Sequence, residues 1–131
     1  MTPETQLPPE VLRASILKDE FHHARLVRVK AAMLTLALHH GTFDASLVDA
    51  ALCVDEDGSP DTHVAGVSIA ALQAIDLIQA TGERVRSSRP DANGRRVNRY
   101  RLAPGRLVAA LAWFRQNGQA EPQAQAELSF A

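Results

Sequence analysis

Arginine is the residue type with the clearest chemistry in this chain, and its distribution is uneven. Between Gly82 and Arg106 lie eight of the fourteen Lys and Arg residues, namely Arg84, Arg86, Arg89, Arg95, Arg96, Arg99, Arg101 and Arg106, against only Glu83 and Asp91. A guanidinium group is planar, always charged and able to donate two parallel hydrogen bonds, so a cluster of them suits phosphate oxygens. The sign reverses between Asp44 and Asp61, where Asp44, Asp49, Asp55, Glu56, Asp57 and Asp61 stand with no Lys or Arg. The net charge of −1 gives no general excess of positive charge, so a polyanion would meet one basic lobe rather than the whole surface.

Other chemistries find less support. Cys53 is the single cysteine, which rules out an intrachain disulfide and reads as a small buried hydrophobe. His22-His23 and His39-His40 are sequence neighbours, which point about 100° apart on a helix and do not converge on one ion. Glu20-x-x-His23 has di-iron spacing but lacks the second pair that such a site needs. Counting from Asp55, a calcium loop would have Pro60 in place of its glycine and Gly66 in place of its bidentate Glu. No phosphate-cradling glycine loop, nucleophile elbow or dinucleotide fingerprint is present. The expectation is a non-enzymatic protein with no catalytic residues, no metal and no cofactor.

Abundant Ala and Leu with few aromatics favour a mainly α chain with one β-hairpin. Residues 1–9, with Pro3, Pro8 and Pro9, read as an extended lead, and 10–118 as one domain. No Gly or Pro occurs from Glu10 to His40, and the reading favours two helices over one, with Val11, Leu12, Ile16 and Leu17 on the first and a break at Lys18-Asp19-Glu20. The second carries Leu26, Val29, Met33 and Leu36 beside Val27, Leu34 and Leu38, the pattern of a buried central helix ending at Gly41. Asp44 reads as the N-cap of a third helix over Ala45 to Cys53, with Phe43 and Val48 as its hydrophobic staple.

After an acidic turn, Ala71, Leu72, Ile75 and Ile78 predict a fourth helix over Ser68 to Thr81, closed by Gly82. Glu83 to Arg89 and Arg95 to Leu102 predict two strands joined through Asn93-Gly94. Leu107, Val108, Leu111 and Phe114 predict the inward face of a last helix stopping at Asn117-Gly118, with 119–131 a loose polar tail. Trp113 and Phe114 read as core, with dimerisation as the alternative. Strand alternation would set Arg84, Arg86, Arg99 and Arg101 on one face, a patch suited to phosphate backbone; the plainer alternative is a solubilising hairpin that guards its edges.

Ile75-x-x-Ile78-x-x-x-Gly82 followed by a basic hairpin, with Arg86-Ser-Ser-Arg-Pro, Asn93-Gly-Arg-Arg and Tyr100-Arg-Leu, resembles the winged-helix variant of the helix-turn-helix, as in small phage and mobile-element proteins. The resemblance covers roughly residues 26–102. It implies double-stranded DNA as partner, residues 68–81 as recognition helix and 83–102 as wing, in a transcriptional regulator or mobile-element accessory factor. The outward positions of that helix would be Ile69, Gln73, Asp76, Leu77 and Ala80, none of them basic. Gln73 would approach a base, Ser68 a phosphate or base, and Arg84, Arg86, Arg89, Arg95, Arg96, Arg99 and Arg101 the backbone. The rival function is a protein-interaction module, an adaptor or inhibitor on the winged-helix scaffold, that holds its partner with Ile69, Leu77 and the acidic loop. Terminal helices could pair two copies into a homodimer. The N-terminus lacks a basic stretch followed by an apolar one, and Ala31 to Leu38 is too short to span a bilayer, so a cytoplasmic protein without membrane contact is expected.

Overall fold

A computed structural model describes residues 9–89 and 94–122, apart from the side chains of 11, 12 and 14–19. Its elements are α1 (Pro9–His40), β1 (Thr42–Asp44), α2 (Val64–Ala74), β2 (Ile78–Arg86), β3 (Arg96–Leu102) and α3 (Leu107–Gln116), with 3-10 turns at Ala45–Leu47 and Ala50–Leu52. The strands form one antiparallel sheet in the order β1-β3-β2. Among the described residues no helix is long and apolar enough to cross a membrane.

The expected break at Lys18-Asp19-Glu20 is absent, and α1 is one helix of 32 residues. Lys and Glu are good helix formers and Asp19 keeps its backbone N–H, so nothing there obliges the chain to turn. Pro9, placed in the extended lead, is instead its first residue, where a missing N–H costs nothing. The proposed stripe Val11, Leu12, Ile16 and Leu17 lies outside the described side chains. Farther along, Val29, Met33 and Leu34 are fully enclosed, with Leu26, Leu36 and Leu38 flanking them. Gly41 ends the helix at φ +82, its N–H donating to the Ala37 carbonyl at 2.9 Å.

Strand β1 is an addition to the expected hairpin, pairing Phe43 with Tyr100 on the outer side of β3. No α-helix follows over Ala45 to Cys53. Asp44 accepts from the Ser46 N–H and Asp49 from the Ala51 N–H, so each short turn starts on its own cap, with Val48 extended between them.

Helix α2 both begins and ends earlier than expected. Asp61 accepts from the His63 and Val64 N–H groups and so starts it upstream of Ser68. It stops because Asp76 turns left-handed at φ 59: its N–H reaches the Gln73 carbonyl while the Leu77 N–H reaches the Leu72 carbonyl, both at 3.0 Å. This crossed pair satisfies the last carbonyls, with Leu72 and Leu77 buried beside it. Asp76→Gly removes a Cβ from a conformation that glycine adopts freely, and should raise stability by about 0.5 kcal/mol, read as a higher urea midpoint.

Gly82, expected to close that helix, lies within β2. The register passes from Ala80↔Tyr100 to Arg84↔Asn98, leaving residues 81–83 opposite Arg99 in a bulge where Gly82 takes φ +87. Helix α3 also departs from expectation, burying Ala110, Trp113 and Phe114 while Leu107 and Val108 remain 50% and 77% exposed. The i, i+3, i+4 set that carries the aromatic bulk decides which face turns inward. Trp113 and Phe114 are core residues. The end at Asn117-Gly118 is as expected, and Glu121 in the adjoining segment pairs with Arg115 at 2.9 Å; the remainder of the expected tail, 123–131, lies outside the described residues. One core joins α1, α2, α3 and the inner face of the sheet.

Candidate nucleic-acid interface

Cross-strand partners project to the same face of a sheet, and in both halves of this ladder even-numbered residues pair with even-numbered ones. Arg84 opposite Asn98 and Arg86 opposite Arg96 therefore share the face of Tyr100 and Leu102. Arg99 and Arg101 project from the other face, where Arg99 donates to Glu83 at 2.9 Å and Arg101 to Gln79 at 3.0 Å. The single patch of Arg84, Arg86, Arg99 and Arg101 does not form; Arg96 takes its place beside Arg84 and Arg86.

The distal end of that first face meets the body of the protein. Arg84, Arg95, Arg96 and Asn98 line a cavity of about 230 Å³ together with Val97, Tyr100, Ala45 and Ile69. A neighbouring cavity of about 270 Å³ is bounded by Ala45, Val97 and Arg95 again, with Arg89, Ser46, Ser87, Thr62 and Ala65. The shared residues make one cleft between α2 and the hairpin, and among the described residues none that lines it carries a carboxylate.

Local hydrogen bonds hold this arrangement. The Ser87 N–H donates to the Arg95 carbonyl at 2.8 Å, continuing the ladder beyond β2. The Ser88 N–H donates to Ser46 Oγ at 3.0 Å, and Ser46 Oγ donates to the buried Asp44 carboxylate. Arg89 reaches the Val48 carbonyl at 3.4 Å and Arg84 the Arg96 carbonyl at 3.3 Å. Arg86, Arg95 and Arg96 make no side-chain hydrogen bond or ion pair among the described residues. Arg106, counted with the basic lobe, caps the end of α2 by donating to the carbonyls of Ile75 and Asp76. Of the expected Asn93-Gly94 turn, only Gly94 lies within the described residues, at φ +75.

The helix positions change more. Because α2 starts at Val64, its inward set is Val64, Ser68, Ile69 and Leu72. Ser68 is wholly buried and cannot meet a phosphate or a base. Ile69 and Leu77, proposed as a partner contact, are 7% and 2% exposed and belong to the core. Gln73, Asp76 and Ala80 are exposed as expected. The exposed apolar residues near the end of α2 are instead Ile75, Leu107 and Val108.

The acidic turn has a role that its composition did not disclose. Arg25, 7% exposed, pairs with Asp61 at 2.8 Å and donates to the Val54 carbonyl and to His22 Nδ1, both at 2.9 Å. A lone Arg four places from Phe21 on a helix face gave no sign of this clasp. Asp61 is held below the ordinary carboxylate range, first by the His63 N–H and, against the opposing effect of burial, by Arg25. A depressed folded-state pKa contributes stability that is complete above the unfolded value near about 3.9 and lost as pH falls toward the folded value. Asp61→Asn should therefore flatten the fall in stability below about pH 4, measured by urea denaturation across that range.

Among the described residues no group of three or more His, Cys, Asp or Glu is placed to hold a metal ion. Comparison with known proteins adds no relative to this geometry: no family model, no curated protein and no solved structure matches the chain.

Proposed function

We propose that the chain is a non-enzymatic DNA-binding domain of winged-helix type, serving as a transcriptional regulator or mobile-element accessory factor in the cytoplasm. Arg84, Arg86, Arg95 and Arg96 contact the phosphate backbone of double-stranded DNA, with Arg89 deeper in the cleft and Gln73 the residue nearest to reading a base. The observation that carries this reading is the convergence of Arg84, Arg89, Arg95 and Arg96 on a cleft beside α2. The layout of three helices and a three-stranded antiparallel sheet is compatible with a winged helix. Exposed Leu107 and Val108 on α3 offer a face for twofold pairing.

A fluorescence-anisotropy titration with random duplex DNA at several salt concentrations tests the proposal. Each neutralised phosphate contributes about 0.9 to the slope of log affinity against log salt, so three or four contacts predict a slope near about −3. A second reading, a protein-interaction module, is favoured by the exposure of Ile75, Leu107 and Val108, which Arg106 brings together where α2 ends and α3 begins. Absence of duplex binding at low salt would decide for it.

A further inference from the structure

The cleft has a mixed lining that phosphate contact alone does not need. Arg84, Arg95 and Arg96 are exposed at its mouth, whereas Val97 and Tyr100 are half-buried and Ile69 is buried. Charge therefore surrounds the opening and apolar surface forms the floor. The Tyr100 ring is steadied by Phe43, with centroids 5.8 Å apart and planes inclined by 33°. The adjoining cavities measure about 230 and 270 Å³, several times the room of a water molecule. A fitting ligand joins an anionic group to a compact apolar or planar body.

In intact duplex the bases are stacked and paired inside, and only phosphates and sugar edges face outward, which leaves such a floor unmet. An unpaired nucleotide presents both halves: its phosphate to the arginines and its base to an aromatic or aliphatic surface. We infer that the cleft accepts one unpaired nucleotide, its phosphate held by Arg84, Arg95 and Arg96 and its base against Ile69 and Tyr100. The preferred nucleic acid is then duplex carrying a single-stranded end or gap. This inference rests on the proposed phosphate contact and adds the base-accepting floor.

The test compares the full chain on a labelled duplex and on the same duplex bearing a short oligo-thymidine overhang, at matched salt. The overhang should bind about tenfold more tightly, the order of effect of one stacked base. Ala45→Leu, which fills the wall shared by both cavities without altering charge, should abolish that preference and change intact-duplex affinity by less than about twofold, since no phosphate contact is lost. A measurement that needs no variant is photocrosslinking from an iodouracil in the overhang, which should map to the peptide containing Val97 and Tyr100. Equal affinity for the two probes, or a crosslink to another segment, would overturn the inference and leave the duplex proposal standing. Failure of both probes to bind at low salt would overturn the two together.

Discussion

Alanine at Arg84, Arg86, Arg95 and Arg96 together is expected to lower duplex affinity at least about a hundredfold at low salt and to flatten the salt slope by about three. A hundredfold corresponds to about 2.7 kcal/mol, under 1 kcal/mol for each group removed, which is modest for a charged contact to phosphate. The four side chains are exposed, so the fold should survive, as unchanged circular dichroism and melting would show. The informative contrast is the double variant Arg99→Ala with Arg101→Ala. These two project from the opposite face and are already engaged by Glu83 and Gln79, so their loss should change affinity by less than about threefold through weakened long-range attraction alone. Equal losses in the two variants would refute the division of the hairpin into a binding face and one whose arginines are already engaged.

Arg25→Ala carries the largest expected effect on stability, a loss of about 2–4 kcal/mol in urea denaturation. The guanidinium is nearly enclosed and holds Asp61, the Val54 carbonyl and His22 at once, beneath the Phe21 ring at 5.5 Å. Removing one member of a buried ion pair leaves the other without compensation; Asp61 and Asp55 keep some access to water, which places the loss below that of a fully sealed pair. Against a typical domain stability of about 5–15 kcal/mol this is a large fraction. It also reaches the cleft. Asp61 starts α2, and Thr62 and Ala65 line the wall beside it, so releasing the clasp should loosen that wall. A loss below about 0.5 kcal/mol, the level of an ordinary surface change, would show that the acidic turn holds its place without Arg25.

The features legible in the sequence were those written in local chemistry. Gly41, Asn117-Gly118 and the apolar half of α1 each announce themselves through one residue's conformational preference or a sustained helical period, and the hairpin through its paired strands. What escaped depended on partners distant in the chain. Three residues of β1 form a strand only because β3 lies beside them. Asp76 ends α2 by adopting a conformation usually left to glycine, so the helix stops short of Gly82 and leaves Leu77 beyond it in the core, while the start that Asp61 sets at Val64 turns Ser68 and Ile69 inward. The arginine cluster itself was plain, but its division between two faces depends on register, and register was set by a bulge that only the paired strand reveals.

That bulge has a consequence for order as well as for register. Residues 81–83 interrupt the ladder, so the pairs Arg84↔Asn98, Val85↔Val97 and Arg86↔Arg96 form a separate stretch beyond those that rest on the core. Hydrogen-bonded stretches supported by few buried contacts open at a fraction of the free energy of global unfolding. The distal half of the hairpin should therefore open more readily than the pairs on the core, restrained among the described residues chiefly by the Ser46–Ser88 strap and the Arg89 contact, and faster amide exchange over 84–86 and 96–98 would show it. Arg86 and Arg96, which make no side-chain hydrogen bond or ion pair among the described residues, lie on this separately paired stretch, so a ligand that bridges them should also raise the free energy needed to open it.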